Sequence, residues 1–334
     1  MSRLRQFLWA GLVGAGLAAP AIAAEPPTLT VYTYASFVSK WGPGPKIKQA
    51  FEARCACRLD LVGLESSTGL VNRLRLEGAR AKADVILGLD TNSMAEAEAT
   101  GLLAPHGLDL SHLALPIAWK SETFVPFDYG WFAFVYDRKR LAKPPASLAE
   151  LVAGGPRILI EDPRTSTPGL GLLLWMRTVF GDGAGDAWAR LAPRVLTVTK
   201  SWSEAYGMFL KGEAPMVLSY TTSPAYHAIV EHESRYAAAM FAEGHYLQVE
   251  VTAMVKSTRQ PELARRFLAF VVSPGFQNAI PTGNWMYPVI ALPGGLPSAF
   301  AALPRPAKTL LVPPATVAAK RVRWIDDWLE AMSR

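Results

Sequence analysis

The sequence has little cysteine and little histidine: Cys55 and Cys57 are its only thiols, and its five histidines are His106, His112, His227, His232 and His245. Two cysteines cannot staple a small fold, and neither residue type falls at a zinc-ligand spacing, so no metal site is expected. Charge is sparse as well, at 19% of residues, with a formal net charge of +6. Lysine and arginine are scattered without a long basic run, which reads as a weakly cationic surface and excludes a dedicated nucleic-acid face. No GxSxG elbow occurs, so a serine hydrolase of that type has no support. Gly169-Leu-Gly171 lacks the third glycine of a dinucleotide fingerprint, and no cofactor is expected. No internal repeat or long linker is visible, and nothing after residue 30 reads as a membrane span.

What is present is apolar material, 50% of 334 residues, enough for one or two sizeable cores. The chain opens with Arg3 and Arg5, an apolar stretch from Phe7 to about Ala19, and then Ala21-Ile22-Ala23. A charged start, a short apolar run and small residues at a cut site form a secretory signal over residues 1–23. Cleavage after Ala23 is preferred, because cleavage after Ala24 would put Ile22 where a small residue belongs. The expected product is an exported, periplasmic protein.

The remainder alternates strand and helix. Leu29 to Tyr34 is a strand, Pro45 opens a helix to about Ala53, Arg58 to Leu64 is a strand, Ser67 or Thr68 caps a helix to Glu77, and Ala83 to Leu89 is a buried strand. A second block has strands at Phe124–Phe127, Gly130–Tyr136, Ile158–Glu161, Val195–Thr199 and Met216–Tyr220, with helices at Ser166–Phe180 and Ser203–Leu210. A strand at Leu247–Val255 and helices at Pro261–Val272 and Val322–Met332 follow. Such alternation predicts an α/β protein of two lobes, each a mostly parallel sheet flanked by helices. Residues 24–126 and 246–334 are assigned to lobe 1, and residues 127–245 to an inserted lobe 2.

Several aromatic residues stand beside turn residues rather than inside apolar runs. Tyr34 and Tyr220 end strands, Trp41 lies in a Gly-Pro turn, Trp202 starts a helix, and Trp285 lies in Pro-Thr-Gly-Asn-Trp-Met-Tyr-Pro. Ligands of open α/β sheets bind beyond the carboxyl ends of strands, and flat aromatic faces suit flat or cationic rings. Each aromatic taken alone reads as core; their recurrence at strand ends and loops favours a site. Ser166 and Thr167 offer hydroxyls and free N–H groups at a helix start, which suits an anion or a plain N-cap equally. In an oxidising compartment Cys55 and Cys57 can close a small ring; the alternative is two reduced thiols at a helix end.

The strings Leu29–Tyr34, Trp41–Pro45, Asn72–Arg75, Thr123–Gly130, Asp162–Gly171, Trp202–Gly207, Leu218–His227, Glu243–Glu250 and Gln277–Pro288 together resemble the periplasmic thiamine-binding proteins of bacterial ABC importers over nearly the whole mature chain. The Cys55-x-Cys57 pair belongs to the same pattern. The resemblance implies a type II periplasmic binding fold with thiamine or its mono- and diphosphates in the interlobe cleft, handed to a membrane permease driven by a cytoplasmic ATPase. It places ligand contacts at Ser166, Thr167, Trp202, Tyr220, Thr221, Thr222, Ser223 and Trp285, with Tyr34 and Tyr226 as further candidates. The physical chemistry agrees, since the thiazolium is a cation, the aminopyrimidine is flat and the tail is a hydroxyl or phosphate.

The chain departs from the family pattern where an Asp-Gly pair follows the second-strand glutamate: here Glu65 precedes Ser66 and Ser67, which take that place in the expected site. Ala35 also stands where an aspartate is frequent, so two anionic groups are expected to be missing near a cationic ligand. The rival readings are a ferric-ion binder, which favours adjacent tyrosines absent here, and a thiamine-cleaving enzyme of this fold, which needs a free nucleophilic cysteine in the cleft.

Overall fold

A computed structural model describes residues 25–333; the expected secretory signal, residues 1–23, lies outside them. The first half-sheet is built as the alternation predicts. Strand β1 (Thr28–Tyr34) leads through helix α1 (Gly44–Cys55) to β2 (Arg58–Leu64), then through α2 (Thr68–Glu77) to β3 (Val85–Asp90) and the short helix α3 (Met94–Glu98). Pro45 sits in the first turn of α1, where its missing N–H costs nothing. The two apolar segments expected as separate strands at 124–127 and 130–136 are one strand, β4 (Val125–Asp137). Asp128 and Gly130 do not interrupt it, because both are taken up in the pairing with a later strand.

The second lobe follows: α4 (Leu148–Gly154), β5 (Ile158–Glu161), α5 (Thr167–Phe180), α6 (Ala184–Leu191), β6 (Val195–Thr199), α7 (Trp202–Leu210) and β7 (Met216–Tyr220). Ser147 caps α4 by accepting from the Glu150 N–H. The chain returns through β8 (His245–Val255) and α8 (Pro261–Val271) to the terminal helix α9 (Pro314–Met332). The main sheet path runs β2-β1-β3-β8-β4-β7-β5-β6. The outer strands pair in parallel, while β8 and β4 run antiparallel to each other and to their outer neighbours. β4 pairs with β8 up to Trp131 and with β7 from Phe132 onward, so one strand carries the chain from one lobe into the other.

Side chains alternate across each half-sheet, and the core divides accordingly. In the first lobe Leu29, Val31, Val85 and Leu87 face one apolar cluster with Phe51 and Phe267, while Tyr32, Ile86 and Leu89 face another with Leu70 and Leu74. In the second lobe Phe132, Ile158, Ile160 and Leu218 pack under α5, and Val135, Leu159 and Val217 pack under α7. Among the described residues no helix is long and apolar enough to cross a membrane.

Helix α9 begins eight residues before the predicted Val322, at Pro314, which again occupies the first turn. The sequence assigns residues 246–334 to lobe 1, yet α9 packs its Trp328 and Ala331 into the second-lobe cluster, with Trp328 edge-on to Trp188 at 6.3 Å. Arg177 of α5 pairs with Asp327 of α9. The reason is visible in the apolar stripe of α9: Val317, Trp328 and Ala331 are its buried residues, and they meet α5 and α6.

Candidate functional site

The carboxyl ends of the parallel strands converge between the lobes. Tyr34 ends β1 and Asp90 ends β3 on one side, while Glu161 ends β5, Thr199 ends β6 and Tyr220 ends β7 on the other. Helix starts stand opposite one another across the same gap. The Ser67 hydroxyl, at the start of α2, hydrogen-bonds the Thr167 hydroxyl at the start of α5. Thr68 Oγ1 donates to the Thr165 carbonyl at 3.1 Å. Neither Ser67 nor Ser166 uses its side chain to cap its own helix. Ser66 Oγ instead lies 3.0 Å from Thr68 Oγ1 and accepts from the Gly69 N–H at 3.3 Å. A cavity between the lobes is lined here by Ser67, Thr68, Asn72, Arg164, Thr167 and Arg321, with Asp90 and Glu96.

Two glycines bring α5 this close to the sheet. A Cβ on Gly169 would lie 2.5 Å from the Glu161 carbonyl oxygen, and one on Gly171 would lie 2.0 Å from the Phe132 ring. The glycine pair that fails as a nucleotide fingerprint is a packing contact that seats the helix start at the cleft.

Three of the aromatic candidates, Trp202, Tyr226 and Trp285, stand along one run of ring contacts. Tyr226 and Trp285 meet edge to face, with centroids 5.1 Å apart, and both remain half-exposed. Trp285 has φ +58°, a left-handed conformation that a bulky residue rarely adopts, and such residues gather at functional sites. Trp202 is linked to that pair through Tyr206 and His227, whose ring meets Tyr226 edge to face at 5.1 Å. It stacks on Tyr206 at 5.0 Å, and its indole N–H donates to Ser219 Oγ at 2.8 Å. Tyr206 in turn hydrogen-bonds His227 Nε2 at 2.9 Å, and His227 Nδ1 lies 2.7 Å from Glu231. Glu231 accepts from Nδ1–H, and burial holds the His227 pKa below its ordinary value despite Glu231, which favours the neutral ring with Nε2 accepting from the Tyr206 hydroxyl.

The hydroxyl run after β7 is mostly turned inward. Thr221 and Thr222 are fully buried; Thr221 Oγ1 has no partner among the described residues, and Thr222 Oγ1 faces Met286 Sδ at 3.9 Å. Ser223 Oγ bonds Ser219 Oγ at 2.7 Å and accepts from the Tyr220 N–H. Tyr220 itself is half-buried and donates to Gln248 Oε1 at 2.9 Å.

Beneath Tyr34 and Tyr220 lies a group of buried acids that the reading of the sequence passed over. Tyr34 donates to Glu250 Oε2 at 2.8 Å and accepts from Asn284 Nδ2 at 2.9 Å. The same Asn284 nitrogen lies 2.5 Å from Asp128 Oδ2 and 3.1 Å from Glu250 Oε2. Gln248 donates to Glu250 Oε1 at 3.1 Å, which joins both tyrosines to one network. Burial and then the facing Glu250 hold the Asp128 carboxyl well above its ordinary range, and burial lifts Glu250 to about 7. Glu161 is buried with both oxygens unpartnered among the described residues, and burial pushes its pKa up strongly. So although Ser66 and Ala35 lack carboxylates, buried acids lie behind Tyr34 and Asn284. The signal existed in the sequence: Gln248, Glu250 and Thr252 alternate with Leu247, Val249 and Val251, and a strand with polar residues on one face in the centre of a sheet needs a polar environment there.

Cys55 and Cys57 are joined in a disulfide at the end of α1, within the first-lobe core.

Residues 43–278 match the model of the bacterial extracellular solute-binding protein family. The thiamine-binding periplasmic protein of Salmonella typhimurium is 60% identical over 95% of this chain and 96% of its own length. That of Escherichia coli is 59% identical, over 92% and 94%. Among solved structures, a periplasmic thiamin binding protein superposes with a TM-score of 0.91 at 57% identity, covering 97% of this chain and all of that one. Iron-bound HitA from Pseudomonas aeruginosa, at 22% identity and a TM-score of 0.73, shares the fold. The chain therefore belongs to the bacterial extracellular solute-binding proteins, in the branch formed by the thiamine-binding periplasmic proteins.

Proposed function

We propose that this chain is the periplasmic substrate-binding subunit of an ABC importer, binding thiamine in the interlobe cleft and delivering it to a membrane permease and its cytoplasmic ATPase. The observation that carries this reading is the cleft itself, where Trp285, paired with Tyr226, follows Asn284, whose amide bonds the buried Asp128 and Glu250, and where no cationic side chain among the described residues pairs with either acid. An aromatic face with buried carboxylates close behind its neighbouring residue suits a flat cationic ring. Thiamine mono- and diphosphate belong to the same proposal: Ser67, Thr68, Asn72, Thr167 and Arg164 line the cavity between the lobes, beside Asp90 and Glu96, and offer donors to a phosphate. Export by cleavage after Ala23 is part of it, and intact mass of the exported protein tests that cut.

The protein acts without a cofactor and makes no covalent bond to its ligand. The thiamine-cleaving alternative needs a thiolate nucleophile, whereas Cys55 and Cys57 are bonded to each other. Titration calorimetry with thiamine, its monophosphate and its diphosphate tests the reading. One site per chain is expected for thiamine. Absence of binding overturns the proposal, and release of cleavage products with an added nucleophilic amine reassigns the protein to the enzymes.

A further inference from the structure

The fold places two carboxylates together in its interior and supplies no residue of opposite charge. Asp128 of β4 and Glu250 of β8 are directly opposite each other in the register of the two strands that cross between the lobes. Their oxygens share one amide nitrogen, that of Asn284. Asp128 is wholly buried, and its Oδ1 has no partner among the described residues. The groups facing the pair are Tyr34 from β1, Asp90 from β3, Gln248 from β8, Tyr220 from β7 and Asn284, every one neutral or acidic. No lysine, arginine or histidine forms an ion pair with either carboxylate among the described residues. Two ionised carboxylates in contact, out of water and without a counter-charge, are strongly disfavoured, and one bound proton removes most of that cost.

The pair stands one side chain behind the cleft. Tyr34 and Asn284, which both bond to it, are half-exposed, and Asn284 precedes the half-exposed Trp285. A cationic ring lying on Trp285 would bring the positive charge that the protein lacks there. We infer that Asp128 and Glu250 share one proton in the unliganded protein and give it up to solvent when a cationic ligand takes its place, so that ligand binding is proton-linked. This rests on the proposed binding of thiamine and specifies how its charge is recognised. In charge terms, the pair goes from −1 to −2 as one proton leaves, and the incoming thiazolium supplies +1.

The sign of the linkage is fixed. At a pH where the free pair is protonated, binding must expel a proton, so affinity falls as pH falls; once the free pair is ionised, affinity levels off. Titration of the full mature protein with thiamine between pH 6 and 8.5, in two buffers of different ionisation enthalpy, reads the proton directly. The expected result is release of up to about one proton near pH 6, with Kd tightening by up to about tenfold per pH unit below neutrality and flattening above it. Deazathiamine, in which carbon replaces the cationic ring nitrogen, is expected to bind with a shallow pH profile and without proton release. Asp128→Asn removes the shared site and is expected to abolish the release; should that variant fail to fold, the wild-type titrations with the two ligands decide alone. A thiamine affinity independent of pH with no proton exchanged overturns the inference, as does an equal slope for deazathiamine. Failure of thiamine to bind at any pH overturns instead the reading of function on which the inference rests.

Discussion

At the residue scale, the two candidate tryptophans have different surroundings and are expected to respond differently to truncation. Trp285 is half-exposed beside Tyr226, so Trp285→Ala should weaken thiamine binding by about 1–3 kcal/mol through lost stacking and cation–π attraction while leaving the melting temperature nearly unchanged. Trp202 is stacked on Tyr206 and bonded to Ser219, so Trp202→Ala should lower the melting temperature as well. Calorimetry paired with thermal unfolding separates the two. Ser66→Asp restores the carboxylate that the family carries, and a charge-assisted hydrogen bond is stronger than a neutral one by roughly 1–1.5 kcal/mol. Thiamine affinity is therefore expected to rise about tenfold, with less or no gain for the monophosphate; unchanged affinities for both would show that position 66 does not face the ligand. Glu161 makes a third case. Its folded pKa lies above its unfolded value, so below about pH 4 both states hold the proton, and as pH rises the unfolded chain ionises first and stability is lost. Glu161→Gln should accordingly raise the melting temperature at pH 7, and the gain should shrink toward pH 4.

At the scale of elements, α5 depends on close contact with the sheet. Gly171→Ala would drive a methyl into the Phe132 ring, and overpacking of this kind costs about 1–3 kcal/mol. Gly169→Ala meets main-chain atoms of Glu161 and Asp162, which yield less readily than a side chain, so its loss in urea unfolding should be at least as large. Most elements could be read directly from the sequence, because β2 alternates polar and apolar residues, β5, β6 and β7 are short and largely apolar, and the limits of all four agree with the structure. The continuous strand β4 was less legible: Asp128 and Gly130 look like interruptions unless it is known that β8 lies alongside. The start of α9 was missed because alanine, lysine and arginine at 318–321 give no amphipathic signal, and only the prolines at 313 and 314 mark the boundary. The site was legible where residues sit at strand ends and helix starts, as with Tyr34, Thr167 and Tyr220. It was not legible where contact depends on tertiary pairing. Asp128, Glu250 and Asn284 are far apart in sequence, and only the crossing strands bring them together.

At the scale of the whole molecule, the lobes touch directly through Ser67 with Thr167 and Thr68 with Thr165, and through Arg321 of α9 with Glu96 of α3. A cross-link at the first contact should hold the lobes together. In the double variant Ser67→Cys with Thr167→Cys, oxidised protein is expected to take up thiamine at least about tenfold more slowly than the untreated variant, if ligand must pass between the lobes. Stopped-flow tryptophan fluorescence would follow this, and an unchanged rate would mean that the ligand reaches its site by another route.

The packing of α9 against α5 and α6 bears on how the chain comes to be folded at all. The second lobe is expected over residues 127–245, yet its hydrophobic interior is closed by Trp328 and Ala331, which follow it far along the sequence. β8, central to the sheet path, also arrives late, after every other strand of that path. Neither lobe can therefore close on a contiguous stretch of chain: an early segment of either one lacks the strand or the helix that shields its interior, and folding waits on contacts made across a long separation in sequence.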